Sequence, residues 1–462
     1  MTLTEQLVAH VRGLTYESLP QEAREMARHV FLDGVGVTLA GATEPLGLGR
    51  LVTEYARESA GALQASVIGG GFKTSMTEAA FANGTMAHAL DFDNTWYPMN
   101  HPTSPTLPTI LAVAEHFGIP GRDCVTALVA AFEVQSRLRM ASTGLHTGVG
   151  FHKPGTTGLM GAVAAGVHLF GLDERQAAMA FGTAGSRAGS LSLNTGTMTK
   201  SSHSGHAARM GLESALLAAK GWTATEDVFG PGGYFDTLLG EQQEPHLLVE
   251  NFASPLRMLE PGVGFKKHPS NYFTHRPIDA ALAIRSNPAF LPAQVESVTV
   301  TFPELHYVDR PFPESGLDGK FSVQYTTALA LLDGRVTIDS FTNERRFAPD
   351  IEALLPKVRI EYDPTISKEF LYLHVIVTVR LSDGTEISER VDKLTGMPGV
   401  PLTAEQRMEK FSTCASRVLD EEAVIQLADL LQRIDELPDV RSLMDLARSD
   451  GSVHRRDAAA AS

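Results

Sequence analysis

Cysteine is almost missing from this 462-residue chain, which has only Cys124 and Cys414. Two thiols so far apart in sequence exclude a disulfide framework, a Cys₄ zinc site and the three-cysteine cage of an iron–sulfur cluster. Positive charge is also in short supply. Lys and Arg number 39 against 54 Asp and Glu, a net charge of −15, which argues against nucleic acid or an anionic membrane as partner. The longest apolar stretch, Thr156 to Gly171, is Ala/Gly-rich, carries His168 and falls short of the ~20 residues of a membrane span. It predicts a buried helix. The N-terminus MTLTEQLVAHVRGL lacks a basic stretch leading into an apolar segment, so no secretory signal is expected and a cytoplasmic address is the default. Nucleotide signatures are lacking too. In GGGFKTS (Gly69 to Ser75) Phe72 separates the last glycine from Lys73, unlike a phosphate loop. GVGVTLAG lacks the third glycine of a dinucleotide fingerprint, and no GxSxG elbow occurs.

What is present is an ordinary globular composition, 43% hydrophobic and 20% charged, ample for a large core. The length fits about three domains, or two large ones. Residues 1–265 read almost entirely as helix. Thr2 with Glu5 forms a capping box before Leu7, Val8 and Val11, Pro20 opens a second helix, and Asp173 with Gln176 opens another. Small residues dominate AAFANGTMAHAL, GAVAAGVHL and ESALLAAKG, so these helices are expected to approach closely and be buried on most sides. After about residue 290 the pattern changes. VESVTVTF (Val295 to Phe302) and VRIEYD (from Val358) alternate with period two, and LYLHVIVTVRLSDGTEISERV reads as a hairpin turning at Asp383-Gly384. VQYTTALALLDG between them reads as a helix closed by Gly334. The expectation is a mainly α fold: a helical domain (1–265), an α+β lid domain (266–400), C-terminal helices (401–448) packing back on the helical domain, and a frayed tail (449–462).

Four clusters can carry chemistry. HALDFDNTWYPMNHPTSPTLP (His88 to Pro108) gathers His88, Asp91, Asp93, Thr95 and His101. These residues suit turn capping, acid–base work, or a divalent ion held by the HxxDxD pattern, although nothing else completes a metal set. GVGFHKPGTTG places His152 and Lys153 among Gly148, Gly150 and Gly155, before a helix whose N-terminus favours an anion. LNTGTMTKSSHSGHAARMG carries Lys200 just before a helix expected to start near Ser204. His203 and His206 are spaced for one face of that helix. VGFKKHPSNYFTHRPIDAALAI carries Lys266, Lys267 and His268. Cations collected in Gly- and Pro-punctuated loops of an acidic protein suggest a site for a small anion. The mix of Asp, His and Lys can supply an acid, a base and a carboxylate clamp, with no obvious covalent nucleophile.

The ordered set ANGTMAHALDFDNTW, HPTSPTLPTILAVAE, GFHKPGTTG, GTMTKSSHSGHAARMGLESALLA and KKHPSNYFTHRPIDAAL resembles the MmgE/PrpD family. FSVQYTTALALLDGRV and PLTAEQRMEKF add support, and the resemblance runs from about residue 5 to 430. The family includes cis-aconitate decarboxylases, 2-methylcitrate dehydratases and an iminodisuccinate epimerase. The resemblance implies a lyase or isomerase without cofactor or metal, acting on a small di- or tricarboxylate and forming a homodimer. Aconitate-like chemistry would then run on side chains rather than on a cluster. It puts Asp91, His101, His152 and Lys200 in catalytic positions and Thr95, Lys266 or Lys267, and Tyr307 (in HYVDRPFPES) at the substrate. TWYPMNHP and YVDRPFP look closer to the decarboxylases than to the dehydratases. Competing readings are a non-catalytic anion-binding protein and a metal-dependent hydrolase using His88, Asp91 and Asp93.

Overall fold

A computed structural model describes residues 1–142, 150–239 and 243–449. Gly148 and the tail from residue 450 onward therefore lie outside the described residues. The chain opens with α1 (Leu3–Gly13), entered through the Thr2/Glu5 capping box. α2 (Gln21–Ala42) follows directly after Pro20 and is buried along its second half. It contains GVGVTLAG, whose glycines serve helix packing. After α3 (Leu48–Glu58), two short strands, β1 (Ala65–Ser66) and β2 (Lys73–Thr74), pair antiparallel. Helical periodicity does not reveal this ribbon. Its turn uses Gly69 and Gly71 at φ +70° and +76°, and Lys73 pairs with Glu115 at 2.8 Å. GGGFKTS is thus a turn, with its lysine committed to a carboxylate.

The helical part continues through α4 (Met76–Ala87), α5 (Thr103–Phe117), α6 (Gly121–Ala141), α7 (Thr157–Leu169), α8 (Glu174–Gly185), α9 (Met198–Ala219) and α10 (Tyr234–Leu239). α7 is the buried helix expected from Thr156 to Gly171, and no helix among the described residues is long and apolar enough to cross a membrane. α4 and α9 cross where glycine faces glycine: a Cβ on Gly84 would sit 2.9 Å from Gly205 Cα, and one on Gly205 would strike the Phe81 carbonyl and the Thr85 hydroxyl. Gly205→Val is therefore expected to cost roughly 3 kcal/mol, the upper end of the overpacking range. Urea unfolding measures this; an unchanged midpoint would mean that the helices are free to separate.

The second part begins with α11 (Tyr272–Arg285), followed by β3 (Val295–Phe302), the one-turn α12 (Gly316–Gly319) and α13 (Val323–Asp333), closed by Gly334 at φ +66°. α14 (Asn343–Arg346), α15 (Pro349–Leu354), β4 (Val358–Tyr362), β5 (Val375–Leu381) and β6 (Glu386–Val391) complete it. The sheet order is β4-β3-β5-β6, with β3 parallel to β4 and the other neighbours antiparallel. Alternation sends Val375, Val377, Val379 and Leu381 inward, where they share a core with Ile278, Ala281 and Leu329 of the helices. The β5–β6 hairpin turns at Asp383-Gly384, with Gly384 at φ +89°.

The last helices, α16 (Ala404–Ala415), α17 (Glu421–Gln432) and α18 (Arg441–Arg448), share one core with the start of the chain. Phe411, Leu427, Leu431 and Leu443 pack with Val30, Phe31, Val35 and Leu128. Asp435 also receives a two-pronged ion pair from Arg28, at 2.8 and 2.9 Å.

Candidate active site

The first cluster lies in the loop joining α4 to α5. Asp91 adopts a left-handed backbone, φ +49°, a conformation that costs a non-glycine residue about 1–3 kcal/mol unless its surroundings enforce it. Thr95 ties this loop to the connection ahead of α11: its N–H donates to the Gly264 carbonyl at 3.0 Å, and the Gly264 N–H donates back at 2.7 Å. The tie brings Lys266 under Asp91.

Asp91 is the centre of the site. Lys200 Nζ lies 2.6 Å from Asp91 Oδ1 and Lys266 Nζ 3.2 Å from Oδ2, all three side chains being buried. Burial alone would raise the Asp91 carboxyl, but Lys200, Lys266 and two histidines overcome it and hold it well below its usual value. Asp91 is therefore a fixed anion between two cations. The expected helix start beside Lys200 is corrected. α9 starts at Met198 rather than near Ser204, so Lys200 sits inside the first helical turn. A cation there opposes the helix dipole, and its ion pair with Asp91 offsets the conflict.

Four imidazoles gather beside this carboxylate. His101 stands between two carboxylates, with Nε2 3.8 Å from Asp91 and Nδ1 3.2 Å from Asp93. His88 Nδ1 lies 3.0 Å from Asp93, and its ring stacks on His152 at 5.4 Å. His152 Nδ1 meets His203 Nδ1 at 3.1 Å, so one of the two nitrogens carries the proton and the other accepts it. His206 instead packs against Phe81, so the two histidines spaced for one helix face do not form a ligand pair. His88, Asp91, Asp93 and His101 offer donor atoms within 4.8 Å of one another. The Asp91 carboxylate, however, already lies against two ammonium groups, which repel a divalent ion.

Burial pushes His88 down to about 3, Lys200 and His101 adding to the effect against Asp93, and burial with Lys200 pushes His152 well below its usual value. In the unfolded chain both return to ~6.5. Below that pH the unfolded state takes up protons that the folded state refuses. Their contribution is thus complete above about pH 6.5 and declines as pH falls toward the folded-state values, by up to ~1.4 kcal/mol per imidazole per pH unit. Urea midpoints measured at about pH 7 and about pH 5 should drop accordingly, before carboxylates titrate. A flat profile over that window would contradict neutral burial.

Other expected site residues are placed less simply. Thr95 is buried, but its hydroxyl donates to the Asn100 carbonyl within its own loop, so it braces the loop. Lys266 and Lys267 separate cleanly. Lys266 enters the cluster around Asp91, whereas Lys267, also expected at the substrate, turns outward to Asp279 at 2.9 Å. Lys267→Ala is expected to leave kcat and KM within about threefold of wild type, as surface substitutions do; a large loss in steady-state kinetics would return it to the site. Tyr307 stands at the rim, 42% exposed, its hydroxyl donating to Asn271 at 3.2 Å. The Gly155 N–H, expected to face an anion, donates to the His152 carbonyl at 3.1 Å and is spent within the turn.

Two family models match the chain, and the first of them spans Asp91, Lys200 and the four histidines, while Lys266 falls between the two. The MmgE/PrpD N-terminal domain matches residues 5–246 and the MmgE/PrpD C-terminal domain residues 268–434. The chain belongs to the MmgE/PrpD family. Relatives within reach include the cis-aconitate decarboxylase of Mus musculus, 31% identical over 97% of this chain and 93% of the relative. That of Homo sapiens is 30% identical over 97% and 95%. The 2-methylcitrate dehydratase of Escherichia coli (strain K12) is more distant, 24% identical over 82% of each. For this MmgE/PrpD chain the sequence reading passed over Lys320 and Lys410, which reach the same loop from the second half. Lys410 lies inside PLTAEQRMEKF and Lys320 directly precedes FSVQY. Each is followed by a buried phenylalanine, the one local hint that these lysines face inward.

Proposed function

We propose that this chain is a lyase acting on a small polycarboxylate, with decarboxylation of cis-aconitate as its reaction. The observation that carries the reading is the Asp91 carboxylate held between Lys200 and Lys266, beside the partly open His101 and His152. Two ammonium groups satisfied by one internal carboxylate form a site that a substrate carboxylate can join, with charge-assisted hydrogen bonds. Identity of 31% and 30% to the mouse and human cis-aconitate decarboxylases, against 24% to the dehydratase of Escherichia coli, supports the choice of reaction.

In this reaction the bond to one carboxylate breaks and carbon dioxide leaves. The electron pair of that bond forms a new double bond, and the pair of the old double bond moves to the carbon beside a remaining carboxylate. Lys200 and Lys266 stabilise the charge that develops there. The carbon then takes a proton. His101, flanked by Asp91 and Asp93, is the donor in this scheme and regains its proton from solvent; His152, neutral and facing Lys200, orients the substrate. No step needs a metal or cofactor.

Proton NMR of the protein with cis-aconitate, 2-methylcitrate and iminodisuccinate in deuterated water tests the reading. Carbon dioxide loss from cis-aconitate is expected. Water loss from 2-methylcitrate, or solvent exchange in iminodisuccinate without net change, would each assign a different family reaction. Binding without turnover would make the chain a non-catalytic anion binder, and activity abolished by chelators would revive the metal-dependent hydrolase. A homodimer and a cytoplasmic address belong to the same proposal, checked by sedimentation and by cell fractionation.

A further inference from the structure

Three ammonium groups converge on the backbone of the Asp91 loop. Lys320 Nζ donates to the Ala89 carbonyl at 3.1 Å, Lys266 Nζ to the Asp91 carbonyl at 2.6 Å, and Lys410 Nζ to the Phe92 carbonyl at 2.9 Å. Their side chains are at most 7% exposed. They arrive from separate parts of the chain: Lys266 ahead of α11, Lys320 at the end of α12, Lys410 in α16. Lys320 has Glu44 as counter-ion at 3.7 Å and Lys410 has Asp33 at 2.6 Å. Burying an ammonium costs several kcal/mol, and replacing a buried ion pair by apolar side chains is often neutral or stabilising. Two such pairs aimed at carbonyls of one short loop, Ala89 and Phe92, call for a reason beyond stability. The held carbonyls surround the left-handed Asp91, and fixing the backbone on both sides of that residue fixes where its carboxylate falls.

We infer that Lys320 and Lys410 are positioning residues, which hold the 89–92 backbone so that Asp91 stays between Lys200 and Lys266. Because Lys320 belongs to the α+β part, its hydrogen bond makes the site geometry depend on that part being docked. The inference rests on the proposed reaction only for its kinetic assay.

The test is a double-mutant cycle on cis-aconitate turnover. Lys320→Met and Lys410→Met are each expected to lower kcat about 10²-fold, the effect of an ångström-scale misplacement, with a smaller change in KM. In an Asp91→Asn background either substitution should add less than about threefold, because it acts through Asp91. Full multiplicative losses would overturn the inference. Should Lys320→Met not fold, Lys320→Arg and Lys410→Met carry the same cycle. Crystal structures of the folded variants provide an activity-free arm: Asp91 should leave the left-handed region or withdraw from Lys200, and an unmoved loop would also overturn the inference. Wild-type protein inert toward cis-aconitate would count against the reaction, while the crystallographic arm would still decide the role of the lysines.

Discussion

His101→Ala is expected to lower kcat by about 10²–10⁴ with the fold intact, the range typical of a lost general acid or base. Among the four histidines beside Asp91 only His101 has a carboxylate at each ring nitrogen, within 3.8 Å at Nε2 and 3.2 Å at Nδ1. Its ring stays partly open to solvent, 15% exposed. His152, in contrast, is held neutral by burial first and then by Lys200 and the neighbouring imidazoles. His152→Ala should therefore also be impaired, through substrate orientation, with a larger share of the loss in KM. Turnover of cis-aconitate by NMR, with circular dichroism as a check on folding, measures both. Full turnover by both variants would remove the acid–base assignment.

Asp91→Asn should separate binding from catalysis. In the wild-type protein the carboxylate neutralises Lys200 and Lys266, so an incoming substrate carboxylate competes with an internal one. Removing the charge leaves two buried ammonium groups uncompensated, and breaking a buried pair in this way costs on the order of 3–5 kcal/mol of stability. The same vacancy favours an anion. The variant is expected to be less stable, to bind a non-reacting tricarboxylate such as tricarballylate more tightly than wild type, and to turn over cis-aconitate about 10²-fold more slowly because the lysines are no longer held in place. Calorimetric titration and urea unfolding with and without tricarballylate check the pattern. Weaker binding by the variant would show that Asp91 contacts the ligand directly and does not merely organise the lysines.

Much of this was legible locally. Capping pairs such as Thr2/Glu5 and Thr403/Gln406 mark helix starts because two side chains three residues apart satisfy each other's backbone N–H groups. Period-two alternation marked β3 and β5 because one face of the sheet is buried. The short β1–β2 ribbon left no trace, since two-residue strands are too short to show a period. The start of α9 is hidden in the sequence because TMTKSS is rich in residues that compete with helix, and only the Asp91–Lys200 pair, 109 positions apart, rewards a lysine in the first turn. The site residues were gathered by motif, but their roles depended on neighbours the motifs do not contain. Two lysines, acting against burial, make Asp91 a fixed anion. Nothing next to Lys320 or Lys410 in sequence reveals that both reach one loop.

The core shared by α2 and α16–α18 has a consequence for how the chain is made. Val30 and Phe31 emerge early from a ribosome, whereas Phe411 and Leu431, which cover them, are added nearly 400 residues later. At ~5–20 residues per second that interval is about 20–80 s. During it the apolar face of α2 lacks its cover, while the α+β part, whose core draws mainly on residues from Tyr272 to Met397, can close by itself. Vectorial synthesis therefore completes the later domain first and the earlier one last. A chain halted before Thr403 would keep a finished lid on an open helical domain, with the attendant need for a chaperone.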